Sequence, residues 1–166
     1  KFKPDALTID ELGQLLWSAQ GVTHEGHKRT APSASGLNAL ETYVITEEGV
    51  ARYRPDDHAL EPLHDGDIRA RLQEATGGQP FVSTAPLIVA FSIVPGRLAS
   101  RHGQERAVRY ADFEAGHAGQ NLLLQAVAQR LGDLVRTDDV VARLGGDEFT
   151  ILLEGVSRSE DAAGVA

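Results

Sequence analysis

Apolar residues recur at helical spacing near the start of the chain, where Leu12, Leu15, Leu16 and Ala19 follow Thr8 and Asp10. Either of those two polar residues can cap a helix start, and Gly21 is a natural stop. Val22 to Ser35 is polar and broken by Gly26 and Pro32, which predicts a loop, and Leu37 to Leu40 predicts a short helical turn. Glu41 to Thr46 is β-rich, and Glu48-Gly49 turns it back into Ala51 to Arg54. Asp67 to Ala75 reads as a short amphipathic helix ended by Gly77-Gly78. Pro86 to Val94 is the most apolar segment and predicts a buried strand. A long helical pattern runs from Glu105 to Val135, and Val140 to Arg143 and Phe149 to Leu153 then flank Gly-Gly-Asp-Glu, a hairpin signal. Ser157 to Glu160 can cap a last helix. The expected class is α+β.

Composition narrows the possibilities. A length of 166 residues suits one domain or slightly more, and the 42% hydrophobic and 24% charged fractions are ordinary for a globular chain. A net charge of −8 argues against a general nucleic-acid or anionic-membrane surface. Cysteine is absent, which removes disulfides, thiolate metal sites and cysteine nucleophiles and fits a cytoplasmic setting. No apolar run approaches the roughly 20 residues of a membrane-spanning helix, and no signal-peptide pattern is present. Methionine is absent even at position 1, which reads as a start inside something longer.

The loop Arg29-Thr30-Ala31-Pro32-Ser33-Ala34 is built around a proline and small residues. Such a loop lets a flat aromatic cofactor lie against the backbone, with main-chain N–H groups and a serine hydroxyl as donors. Alone, it is more often an ordinary Ser/Pro turn. It stands, however, in an ordered series: Leu15 to Gly21 before it, Leu37 to Val44 and Tyr53 to Leu60 after it, then Arg109-Tyr110 leading into Glu114-Ala115-Gly116-His117. Over about residues 1–128 that series resembles the nitroreductase family, in its branch of peptide-azoline oxidases. The resemblance implies a mixed sheet packed with helices around a long central helix, FMN bound at a homodimer interface, and hydride passed from NAD(P)H through the flavin to a small-molecule or peptide substrate. It places Arg29, Pro32, Ser33, Ala34 and Asn38 near the isoalloxazine ring, and Gly116 and Gln120 on the central helix beneath it; simple helix packing accounts for those last two equally well. It assigns no catalytic residue. The family's N-terminal Arg-Arg-Ser-x-Arg stretch, which holds the FMN phosphate, and its C-terminal strands have no counterpart here, so weakened FMN binding is expected. His24, His27, Lys28 and Arg29 form a small basic cluster that reads as a solvated loop, and His58 and His64 lack metal-ligand spacing.

The back of the chain carries a different signature. Gly145-Gly146-Asp147-Glu148 places two small residues where backbone must approach a ligand, followed by two carboxylates suited to Mg²⁺ shared with substrate phosphates. In isolation it is a hairpin turn. With Leu124 to Leu131 before it and Asp139 to Leu153 around it, residues 122–166 resemble part of a GGDEF domain of diguanylate cyclases, sharing the helix up to 128 with the front part. That resemblance implies metal ligation by Asp147 and Glu148 and nucleotide binding by Arg136, Asp139, Gly145 and Gly146; a surface ion pair is the plain reading of Arg136 and Asp139. Aligned through Gly116-His117, the family's upstream metal-ligand and GTP positions hold Gln104, Arg106, Val108, Arg109, Asp112 and Phe113. Arg106 would repel Mg²⁺, so diguanylate cyclase activity is not expected. Three readings follow: an FMN-dependent oxidoreductase of nitroreductase type, a GGDEF remnant that binds GTP or cyclic di-GMP, and an inactive chimeric scaffold joined through one helix.

Overall fold

A computed structural model describes residues 7–24, 28–132, 140–145 and 148–152, with side chains through Arg130. The chain divides into two units, Lys1–Asn121 and Leu122–Ala166. In the first, helix α1 (Ile9–Gln20) starts at Thr8, whose hydroxyl accepts from the Glu11 backbone N–H while the Glu11 carboxylate accepts from the Thr8 N–H. This reciprocal pair satisfies two of the orphan donors every helix start carries. Gly21 closes the helix with its N–H on the Trp17 carbonyl; a Cβ there would lie 2.3 Å from the Trp17 ring, so only glycine fits.

Strands β3 (Leu40–Ile45), β4 (Gly49–Arg54), β5 (Ala59–Asp65) and β6 (Ile88–Ile93) form one sheet in the order β5-β4-β3-β6. The α+β class holds, and within it every described pairing is antiparallel rather than mixed, since hairpins join β3 to β4 and β4 to β5. Central β3 buries Leu40, Thr42 and Val44 by period-two alternation. Leu16, Val44 and Tyr53 form one core cluster, with Leu12, Leu60 and Val89 packed against it. A second cluster joins Ala39 to Leu98, Ala107 and Ala111, contributed by α4 (Gly96–His102) and α5 (Gln104–Gly132). Helices α2 (Arg69–Ala75) and α3 (Pro80–Thr84) connect β5 to β6.

Several local expectations need correction. The stretch expected as loop contains a short antiparallel pair, β1 (Val22–His24) with β2 (Lys28–Arg29), and Arg29 at its end meets Asp56 from far along the chain. The turn expected at Leu37–Leu40 sits earlier, at Ala34–Gly36, and Leu40 already belongs to β3. The apolar β6, expected buried, is an edge strand whose residues are half-buried or exposed, because β3 is its only described neighbour. The other edge, β5, carries Glu61, Pro62, His64 and Asp65.

In the second unit β7 (Val140–Gly145) and β8 (Glu148–Leu152) form the expected antiparallel hairpin, with Gly145 opposite Glu148. The expected cap at Ser157 lies outside the described residues.

Candidate functional site

The loop from Thr30 to Ala39 is fastened at both ends. Thr30 donates its N–H to the Gly21 carbonyl at 3.0 Å and its hydroxyl to the Trp17 carbonyl at 3.1 Å, while Asn121 Nδ2 donates to the Thr30 carbonyl at 3.3 Å. At the far end Asn38 donates its N–H to Ser33 Oγ at 2.8 Å, and Arg97 Nη1 donates to the Asn38 carbonyl at 2.8 Å. The next amide, of Ala39, donates to the buried Glu114 Oε2 at 3.2 Å. Between these anchors Ser35, Gly36 and Asn38 take φ values of 57°, 67° and 48°. Left-handed backbone at non-glycine residues persists only where surrounding contacts impose it, and it concentrates at ligand clamps. His102 Nε2 lies 3.0 Å from Ser35 Oγ and packs edge-on against Tyr110, adding a further restraint.

Beside this loop a cleft of about 280 Å³ opens, lined among others by Gln20, Arg29, Asn38, Glu41, Asp56 and Arg97. Arg29 is 9% exposed and donates from Nη2 to Asp56 Oδ1 at 3.1 Å. Its Nε and Nη1, and Nε2 of Gln20, are buried with no acceptor. The other guanidiniums at the cleft are engaged: Arg52 by Glu61 at 2.7 Å, Arg97 by Glu41, and Arg54 by Asp57. A buried donor without a partner costs about 1–3 kcal/mol. Two residues of the cleft lining, Arg29 and Gln20, thus carry three buried donor atoms with no hydrogen-bond partner.

Of the residues singled out in the sequence, Arg29 and Asn38 meet in this cleft, and Ser33 acts through its hydrogen bond to Asn38. Arg29 is not the solvated loop cation expected from its basic neighbours. Pro32 is exposed, and Ala34 packs towards the Ala39 and Leu98 cluster; neither lines the cleft. Gly116 and Gln120 lie on the exposed side of α5 and do not line it either. A Cβ at Gly116 would meet nothing within 4 Å, so packing does not explain that glycine. Gln20 was not foreseen, although a polar residue next to Ala19 in the buried stripe of α1 is a readable signal. Arg136, Asp139, Gly146 and Asp147 fall outside the described residues. Gly145 and Glu148 end their strands as described above, and no metal-binding group of His, Asp or Glu occurs among the described residues. No helix among the described residues is long and apolar enough to cross a membrane.

Comparison with known proteins shows the family. The nitroreductase family model matches residues 1–137, and the chain belongs to that family. A protein of Methanocaldococcus jannaschii that carries the nitroreductase name is 35% identical over 132 residues, covering 76% of this chain and 66% of its own length. A crystal structure from Ralstonia eutropha JMP134, also named a nitroreductase, superposes with a TM-score of 0.69 at 32% identity, covering 78% of this chain and 60% of that one. The GGDEF family model, that of the diguanylate cyclase domain, matches residues 111–166 in part. The diguanylate cyclase TpbB of Pseudomonas aeruginosa is 37% identical over 78 residues, which are 42% of this chain and 18% of that protein. The chain thus spans just under two thirds of its nitroreductase relative and less than a fifth of its cyclase relative.

Proposed function

We propose that the chain is an FMN-dependent oxidoreductase of nitroreductase type, with the flavin ring seated against the Arg29–Asn38 loop and its cleft. The observation that carries this reading is that two residues lining one cleft, Arg29 and Gln20, hold three buried donors without a partner. The polar edge of an isoalloxazine ring presents N1, O2, O4 and N5 as acceptors beside the N3–H donor, and those acceptors suit that donor set. When bound, FMN supplies two-electron redox chemistry between NAD(P)H and a small-molecule or peptide substrate. The protein's own task is to bind and orient. Arg29 and Gln20 donate to the ring edge, and Ser33 and Arg97 fix Asn38 from either side. The left-handed backbone of Ser35 and Asn38 holds the loop open for a flat ligand. Family membership and the ordered motifs from Leu15 to Gly116 support the reading. A homodimer in the cytoplasm belongs to the same proposal, with Gly116 and Gln120 on the exposed side of α5 as part of the seam.

The test is an absorption spectrum combined with size-exclusion chromatography after incubation with FMN. Retained flavin absorbance, bleached by NAD(P)H and co-eluting with a dimer, is expected. A colourless protein at millimolar FMN would sink the reading. The partial GGDEF match favours one other reading, nucleotide binding through Arg136, Asp139, Gly145 and Gly146 with Mg²⁺ on Asp147 and Glu148. Titration calorimetry with cyclic di-GMP decides it, and no heat at high micromolar ligand rejects it.

A further inference from the structure

A second cavity, of about 480 Å³, opens between α1 and the β4–β5 hairpin. Its apolar walls are Ile9, Leu12, Leu16 and Leu60, and Tyr53 and His58 bring polar groups to it. The volume is that of a small-molecule site. It shares only Tyr53 with the cleft beside Arg29.

Two locally costly choices meet at this cavity. Gly13 stands in the interior of α1, where glycine costs about 1 kcal/mol relative to alanine. A Cβ at that position would lie 3.3 Å from His58 Nε2, so the glycine is what lets the imidazole rest against the helix. His58 itself adopts φ 48°, a left-handed conformation that a side chain takes at some cost. Together they set the His58 ring on the helix at the cavity wall.

Tyr53 Oη lies 2.8 Å from His58 Nδ1, with the two rings edge-on and their centroids 5.7 Å apart. Burial pushes the Tyr53 phenol up to about 12, against a smaller downward pull from Arg29. The phenol therefore keeps its proton, and the hydrogen bond in which it donates to Nδ1 leaves Nε2 as the N–H donor of the ring. His58, itself exposed, thus brings one imidazole N–H donor to a lining of aliphatic side chains that also includes the Asp10 carboxylate.

We propose that this cavity binds a small neutral molecule with an aromatic or aliphatic body and one carbonyl-type oxygen, which accepts from His58 Nε2. Leu12, Leu16 and Leu60 take up the body. Asp10 disfavours an anionic ligand.

The test uses the full chain without FMN, labelled at its leucine methyls, and two probes that differ only in the oxygen: acetophenone and ethylbenzene. Acetophenone is expected to shift the Leu12, Leu16 and Leu60 methyls saturably and to bind roughly three- to tenfold more tightly than ethylbenzene, as one hydrogen bond allows. His58→Asn, chosen because asparagine tolerates the left-handed backbone, is expected to remove that preference and leave ethylbenzene affinity unchanged. Gly13→Ala, which crowds the ring, is expected to weaken acetophenone in the same direction, and cooperative melting of both variants verifies their fold. The proposal is overturned by equal affinity for the two probes in the unaltered protein, by a preference that survives His58→Asn, or by shifts confined to methyls outside the cavity.

Discussion

Replacing Arg29 by methionine separates the stability of this protein from the flavin binding proposed for it. The side chain is 9% exposed, yet two of its three nitrogens have no acceptor, and its single partner, Asp56, is 52% exposed. Two unpaired buried donors cost about 2–6 kcal/mol together, while a pair with a half-exposed carboxylate returns about 0.2–1 kcal/mol. Methionine fills a similar volume without polar atoms, so Arg29→Met is expected to raise the stability of the flavin-free protein by about 1–3 kcal/mol, part of the gain being offset by imperfect packing. Binding should move the other way. A hydrogen bond from a charged donor is worth about 1.5–3 kcal/mol, so FMN affinity should fall roughly 10- to 150-fold. Urea unfolding followed by circular dichroism gives the first quantity, and quenching of FMN fluorescence gives the second. A variant that loses more than about 1 kcal/mol of stability while keeping its FMN affinity would refute the reasoning, because Arg29 would then be a structural pair with no unmet need.

Two further outcomes concern the scaffold. Leu98→Ala is expected to cost about 3–5 kcal/mol, the upper part of the usual range, because Leu98 is fully buried against Ala39, Ala107 and Ala111, which are too small to collapse into the space; a lower urea midpoint at unchanged slope checks it. The Asp67 carboxyl accepts from the Arg69 side chain and backbone, which hold it down to about 2, below the ordinary 3.8. A depressed folded value means that its contribution is complete above about pH 4 and disappears as the pH falls through 2. An NMR titration of Asp67 with a midpoint near 4 would contradict this.

What the sequence made legible was whatever rests on neighbours along the chain. The helix start at Thr8, one of the two residues offered for the cap, the Gly21 stop and the β3–β4 hairpin are local patterns, and each is where the spacing placed it. Strand β5 escaped notice because Glu61, Pro62 and Asp65 break any alternation, and the short α3 and α4 are too brief for a helical period. At the site, Arg29 and Asn38 could be named from a loop pattern, but their setting could not. Asp56 lies 27 residues from Arg29, and Arg97 lies 59 from Asn38, so only folding brings them together. His58 received little weight for want of metal-ligand spacing, since its pairing with Tyr53 and its seat over Gly13 are products of the β4–β5 turn.

The two margins of the four-stranded sheet differ in a way that bears on handling the protein. Along β5, Pro62 withholds a backbone donor and Glu61 and Asp65 add charge, so an incoming strand meets resistance. Along β6, Ile88-Val89-Ala90-Phe91-Ser92-Ile93 has neither charge nor proline. Self-association in concentrated or warmed samples should therefore begin along β6, while the net charge of −8 slows it at low salt and ceases to do so as salt is added. A lysine at Ser92, the exposed position of that strand, is the simplest way to keep the protein in solution.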